Sequence, residues 1–318
     1  MMTPAEFYKD IDVIKRILEY CGVPAKRTAE FSPRHAHSLA DSHDLKQIAK
    51  EMTSEFVVGS GDNFPKRNGK GPSSRVPEQI GEILDGGHNI FRSMWDRQGL
   101  VFYLDMEYVS HKYKGEAYVN PIDVFVKIDP AYRAIRDTLL EYGIIPMTIA
   151  TGQGYHFAFM VNSYNKHYLD ESKSDSIIAK RLVEHGFLEE TLKGKYEHLP
   201  GYTKRRRIVA PELGRAHDTV GKLLEFVVHK AIQRMPGYGM RIPVGIGDIV
   251  PGNDKKEILN LDLSTYVSPL FARGMRTVFS IHDKHKKNSD PRIKALPITI
   301  AVPRLTPCNG VELDLEEV

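Results

Sequence analysis

Apolar positions recur at helical spacing from Pro4 to Cys21, which predicts one amphipathic helix closed by Gly22 and Pro24. A second helix is expected over Ser42 to Met52. Residues 59–75 are rich in Gly, Pro, Ser and cations and read as a mobile loop or linker, followed by a helical stretch from Pro77. Asn120-Pro121 opens a long helical pattern that is expected to break at Pro130 and to stop at Gly143. Two strands follow, residues 144–150 and 155–161, joined by the hairpin-like Thr151-Gly152-Gln153-Gly154. Helical pattern returns at about 174–186 and 217–234, and the last clear strand covers 257–264.

Parity within the strands carries more information than their positions. Between residues 99 and 110, Leu100, Phe102, Leu104, Met106 and Tyr108 share one face, while Asp105 and Glu107 share the other. On the strand at 155–161, Tyr155, Phe157, Phe159 and Val161 are the apolar set and His156 points away from them. At 257–264 the leucines 259, 261 and 263 oppose Asn260, Asp262 and Ser264. From residue 100 onward the order is strand, helix, strand, strand, helices, strand: an α+β chain with a split β-α-β-β-α-β core of RRM-like type. In that arrangement the first strand lies between the third and the fourth, and helices cover one face. Asp105, Glu107, His156 and Asp262 then project together from the uncovered face.

Composition narrows the setting. The chain has 318 residues, 41% hydrophobic and 27% charged, which is ordinary for a globular protein. The excess of cations is only +3 and the pI about 8.6, so local clusters matter more than the total. There are two, Lys204-Arg205-Arg206-Arg207 and the run Asp283 to Lys287. Cys21 and Cys308 form no C-x-x-C pair, and a reducing cytoplasm is expected. The start of the chain has no signal-peptide pattern, and no apolar run approaches a membrane span. The pair His35 and His37 has metal-ligand spacing but no further ligands nearby.

Clustered carboxylates repel unless a cation neutralises them or one of them binds a proton. Hard oxygen donors without thiolates point to Mg²⁺ or Mn²⁺, and two such ions suit phosphoryl displacement. The plainer alternative for Asp105 and Glu107 is an acidic pair on an edge strand facing solvent. Downstream, Arg276, Val278, Ser280, His282 and Lys284 share one face if residues 276–284 form a strand, with Arg273 just before them. Such a row suits a nucleoside triphosphate; the alternative is a charged edge strand that resists aggregation. The turn at Gly152 and Gly154 brings backbone amides and His156 to a place where a phosphate can sit. A P-loop is absent.

In order and spacing, "FYLDMEY", "TGQGYHF", "LNLDLSTY" and "RGMRTVFSIHDK" resemble the archaeo-eukaryotic primase superfamily, which includes primase-polymerases, over about residues 90 to 285. "FRSMWDRQGLVFYLDMEYV" is similar to members of a bacterial branch. The resemblance implies a primase-type fold, with residues 1–75 as a mainly helical region and basic loop, 76–290 as the catalytic domain and 291–318 as a tail. It implies template-directed nucleotidyl transfer with NTPs or dNTPs on single-stranded or primed DNA, a helicase or other replication protein as partner, and no membrane. Asp105, Glu107 and Asp262 would be the catalytic residues and hold two Mg²⁺ or Mn²⁺ ions. Gly152, Gly154, His156, Arg273, Arg276, Ser280, His282 and Lys284 would bind the nucleotide. Some family members carry serine where this chain has Gly154. A metal-dependent nuclease, or a non-catalytic nucleic-acid-binding partner with a relic site, remain the alternatives.

Lys204 to Arg207 is the expected template or partner contact. Replacing all four with alanine should weaken DNA binding and lower the salt-dependence slope by up to about 3. Anisotropy titrations at several salt concentrations check this, and an unchanged slope would make the cluster a solvated loop.

Overall fold

The computed structural model describes residues 2–32, 38–61, 73–162, 174–188, 211–247, 257–267 and 274–304. Arg273, Lys204 to Arg207, Cys308, and His35 and His37 lie outside these residues. The described strands in chain order are β1 (Val57–Ser60), β2 (Ser73–Arg75), β3 (Asn89–Ser93), β4 (Gly99–Ser110), β5 (Met147–Ala150), β6 (Gly154–Asn162), β7 (Val244–Ile246), β8 (Glu257–Asp262), β9 (Gly274–Arg276), β10 (Ile281–His282), β11 (Thr299–Ile300) and β12 (Val302–Arg304). Helices and mixed sheets together make the chain α+β. No described helix is long and apolar enough to cross a membrane.

The chain gathers into two compact units. The first takes residues 1–101, 160–219 and 268–282; the second takes 102–159, 220–267 and 283–318.

In the first unit the N-terminal pattern forms two helices, Pro4–Phe7 and Ile11–Tyr20, where one was expected. Asp10 divides them: its extended backbone and its carboxylate, which accepts from Asp12 N at 2.8 Å, start a new helix. Thr3 and Glu6 form a capping box on the first helix. The expected linker at 59–75 is structured at both ends. β1 and β2 pair as antiparallel strands with Val57 opposite Arg75 and Gly59 opposite Ser73. Arg75 is buried against Glu82, at 3.1 Å. This sheet, ordered β2-β1-β3-β9, has strands of three to five residues. Cys21 is buried and its thiol is pushed up to about 12 by burial, so it is inert at neutral pH.

The second unit holds most of a six-stranded sheet ordered β12-β5-β6-β4-β8-β7, in which β4 sits between β6 and β8. Leu104, Met106 and Tyr108 of β4, Tyr155 and Phe157 of β6, and Leu259 and Leu261 of β8 form one buried cluster. The helix Pro121–Glu141 supplies Val124, Ile128, Ala131, Tyr132, Ile135 and Leu139 to it; Val227, Val228 and Ala231 come from the helix Pro211–Arg234. Each such large side chain contributes about 1.5–3 kcal/mol by leaving water. The expected break at Pro130 does not occur: Pro121–Glu141 runs through it. The bond that Pro130 forfeits is the one to the carbonyl of Val126, a residue 55% exposed on the far side from the core.

Residues 291–318, expected as a tail, contribute a short helix, Pro291–Ala295, and the edge strand β12, antiparallel to β5 with Val302 opposite Ala150. Arg304 fastens that strand. Its guanidinium lies 3.9 Å from the Tyr132 ring centroid, donates to Tyr155 Oη at 2.9 Å and reaches Asp129 at 3.4 Å.

Gly154 has a steric reason. A Cβ there would lie 1.9 Å from the Met106 carbonyl oxygen of the neighbouring strand. Gly154→Ala should therefore lower stability by about 1–3 kcal/mol, read from the urea midpoint of the full chain. A midpoint equal to wild type would mean that β4 and β6 do not approach this closely.

Candidate active site

The acidic residues and the motif histidine all belong to the second unit. β4 and β8 are antiparallel, with Asp105 directly opposite Asp262 and Glu107 directly opposite Asn260. Directly paired residues have Cβ atoms about 4.5–5.5 Å apart, so the two aspartates are immediate neighbours. The alternation on β4 places Leu104, Met106 and Tyr108 in the core and leaves Tyr103, Asp105 and Glu107 partly exposed on the other face.

Each carboxylate in the row has a protein partner. His156 Nε2 lies 3.3 Å from Asp105 Oδ1. Lys284 Nζ donates to Glu107 Oε1. Asp262 Oδ1 accepts from Ser264 N at 2.7 Å, which closes the turn after β8. Backbone register puts Asp105 opposite Asp262 with Glu107 two residues along, and His156 lies beside Asp105. Among the described residues, no three His, Cys, Asp or Glu side chains gather into a group that could hold a metal ion. The donor set is nonetheless of the kind that a hard divalent cation prefers: carboxylate oxygens in one row, with no thiolate.

The face was expected to be uncovered, and it is open only in part: the acidic residues are partly exposed, but two of their neighbours are not. His156 is 9% and Asn260 is 6% exposed. Both carry an atom with no hydrogen-bond partner among the described residues, Nδ1 of His156 and Oδ1 of Asn260. Unpaired buried polar atoms are uncommon and cost about 1–3 kcal/mol each. The ring of Tyr103 lies 5.6 Å from that of His156, and its hydroxyl meets Thr265 Oγ1 at 2.9 Å. Tyr266 Oη in turn donates to Tyr103 O and accepts from Tyr103 N. Burial raises the Tyr266 hydroxyl far above its ordinary value, so it stays a neutral hydrogen-bonding group. Tyr103 and Asn260 were missed as candidates, although each has the same parity as an acidic residue two positions on.

The other expected nucleotide-binding residues fall into two sets. Gly152 and Gly154 lie in the β5–β6 turn of the second unit, where Gln153 O accepts from Tyr108 N at 2.8 Å. Arg276, Ser280 and His282 belong to the first unit. Residues 276–284 do not make one strand: β9 ends at Arg276 and β10 begins at Ile281. Between them Phe279 takes a left-handed φ of 56°. The expected single face is therefore broken by a turn. Arg276 Nη1 donates to Asn89 Oδ1 at 2.6 Å, and its guanidinium lies 4.6 Å from the Phe91 ring centroid. Ser280 is fully buried, with its Oγ accepting from Ile90 N at 2.8 Å. His282 is buried.

No family model and no curated protein matches the chain. A solved structure, the polymerase domain of Mycobacterium tuberculosis Ligase D in complex with DNA, is similar with a TM-score of 0.39 and 12% identity over 86% of this chain and 88% of that one. A likeness at that level assigns no family.

Facing aspartates should leave a trace in stability. Without metal, Asp262→Asn keeps the acceptor for Ser264 N and removes the repulsion, for a gain of about 0.2–1 kcal/mol. Thermal unfolding in EDTA should show a melting temperature about 1–3 °C higher. An unchanged or lower value would mean that the two carboxylates do not crowd each other.

Proposed function

We propose that the second unit carries the active site of a metal-dependent nucleotidyltransferase of the primase-polymerase kind, adding NTPs or dNTPs to a primer on a DNA template. One observation supports this above others: Asp105 stands opposite Asp262 across two strands, with Glu107 two residues along the same face. The residues come from separate motifs in the chain and meet in register. The four-motif resemblance in the sequence runs the same way, and the strand order around β4 is compatible with an RRM-like core.

On this reading Asp105, Glu107 and Asp262 would hold two Mg²⁺ or Mn²⁺ ions. Bound there, the ions would supply activation of the attacking hydroxyl and neutralisation of charge on the displaced pyrophosphate. The chain's own residues have separate tasks. Lys284 neutralises Glu107 before cations arrive and is then released toward a phosphate. His156 holds Asp105 in place and, with the glycine turn at Gly152 and Gly154, offers donors to phosphate oxygens. Tyr103 fixes the plane of His156 from the side.

Purified protein incubated with Mn²⁺ or Mg²⁺, primed and unprimed DNA and labelled NTPs or dNTPs should incorporate nucleotide. Asp105→Asn and Asp262→Asn should each lower the rate by at least ~10²-fold. Mn²⁺ without nucleotide should raise the wild-type melting temperature and leave the double variant unmoved. No incorporation in any combination, with intact folding, overturns the reading. Degradation of DNA without added nucleotide would point to a nuclease using the same carboxylates.

A further inference from the structure

β4 ends at Ser110, and the next residues line a groove of about 600 Å³ together with residues 288–293, all within the second unit. That volume is within the range of sites that hold a small ligand or one unit of a polymer, ~300–1,000 Å³. The loop His111-Lys112-Tyr113-Lys114 forms one wall. Gly115, at a φ of 85°, turns the chain where a Cβ would meet the Ile293 side chain at 2.7 Å, so the loop is pressed onto a buried residue. The wall is therefore built on the core and not a free excursion.

Its charge is unbalanced in a specific way. Two carboxylates line the groove, and both are engaged. Glu116 accepts from Tyr108 Oη at 2.8 Å and pairs with Lys127 at 2.8 Å. Asp290 pairs with Arg292 at 2.8 Å and caps its backbone N–H. Among the described residues no carboxylate pairs with Lys112 or Lys114, and both are exposed. Tyr113 between them is 57% exposed, with Lys112 Nζ 4.9 Å from its ring centroid. Three residues of the basic run Asp283 to Lys287 are engaged elsewhere. Lys284 holds Glu107, Lys286 donates to Leu296 O, and His285 is buried against Tyr118.

We propose that this groove binds single-stranded nucleic acid, with Lys112 and Lys114 on the phosphates and Tyr113 stacked on a base. An exposed aromatic ring between two unpaired cations meets the two needs of an unpaired strand, backbone charge and base face. A duplex offers the phosphates but not the base face, and an acidic peptide offers charge alone. The groove begins at the end of the strand that carries Asp105 and Glu107. Its assignment as the template path rests on the proposed function; the binding of a strand does not.

The test is fluorescence anisotropy with labelled oligo(dT), with EDTA and without nucleotide, so that failure of catalysis leaves it unaffected. Lys112→Ala/Lys114→Ala should lower the slope of log affinity against log salt by about 1.4, at ~0.7 per phosphate contact on a single strand. Tyr113→Ala should weaken binding on the order of tenfold, Tyr113→Phe should not, and neither change should matter on an abasic strand. All these positions are exposed, so folding is preserved. An unchanged slope in the lysine variant, or equal loss on abasic and normal strands in Tyr113→Ala, overturns the proposal. So does equally tight binding of polyglutamate by wild type.

Discussion

The antiparallel register of β4 and β8 is the constraint from which the rest of the second unit follows. Leu104, Met106 and Tyr108 must face the helices to bury their apolar surface, as must Leu259 and Leu261. A slip of one residue would turn every one of these outward and every acidic residue inward. Burial of the leucines thus fixes the position of the aspartates. Asp105 cannot leave Asp262 without several core side chains losing their place, so two mutually repelling charges are held together by packing on the opposite face. The energy that tolerates the repulsion is non-directional burial, at about 1.5–3 kcal/mol for each large side chain, against at most about 1 kcal/mol for the opposed charges.

Partners moderate what packing imposes. His156 and Lys284 contact opposite ends of the acidic row, one from the neighbouring strand β6 and the other from a segment some 180 residues away in sequence. Lys284 is more than half exposed, so its ion pair is screened and readily exchanged. His156 is nearly buried and so is the more rigid partner. The row is thus firmly held at Asp105 and loosely held at Glu107.

The parts of this architecture legible in the sequence are those governed by alternation. The strand parity of residues 100–108, 155–161 and 257–264 fixed which faces carry Asp105, His156 and Asp262, because a two-residue period has only two outcomes. The β5–β6 hairpin was legible from its glycines for a similar reason. Strands of three to five residues, such as β1, β2 and β9, are too short to show a period, and the first-unit sheet went unread. Residues 276–284 misled because alternation persists there while Phe279 reverses the chain; a bulky residue at positive φ gives no warning in sequence. Pro130 misled in the opposite direction. Its usual effect depends on whether the lost carbonyl partner is on the core side, which sequence does not state.

Gly154 shows how a local residue choice can be a consequence of packing against the neighbouring strand. A serine at this position would carry a hydroxyl near His156. In this chain the Met106 carbonyl occupies the volume that any Cβ would need. Tyr108 N donates to Gln153 O, which ties the turn to β4 one residue before the glycine. The turn can approach β4 so closely only because residue 154 has no side chain. That approach in turn places His156, two residues on and on the same face of β6, within reach of Asp105. The missing side chain at 154 and the imidazole's approach to the carboxylate are therefore two sides of one short interstrand distance. A chain with serine here would need β4 and β6 further apart, and its histidine would stand farther from the acidic row.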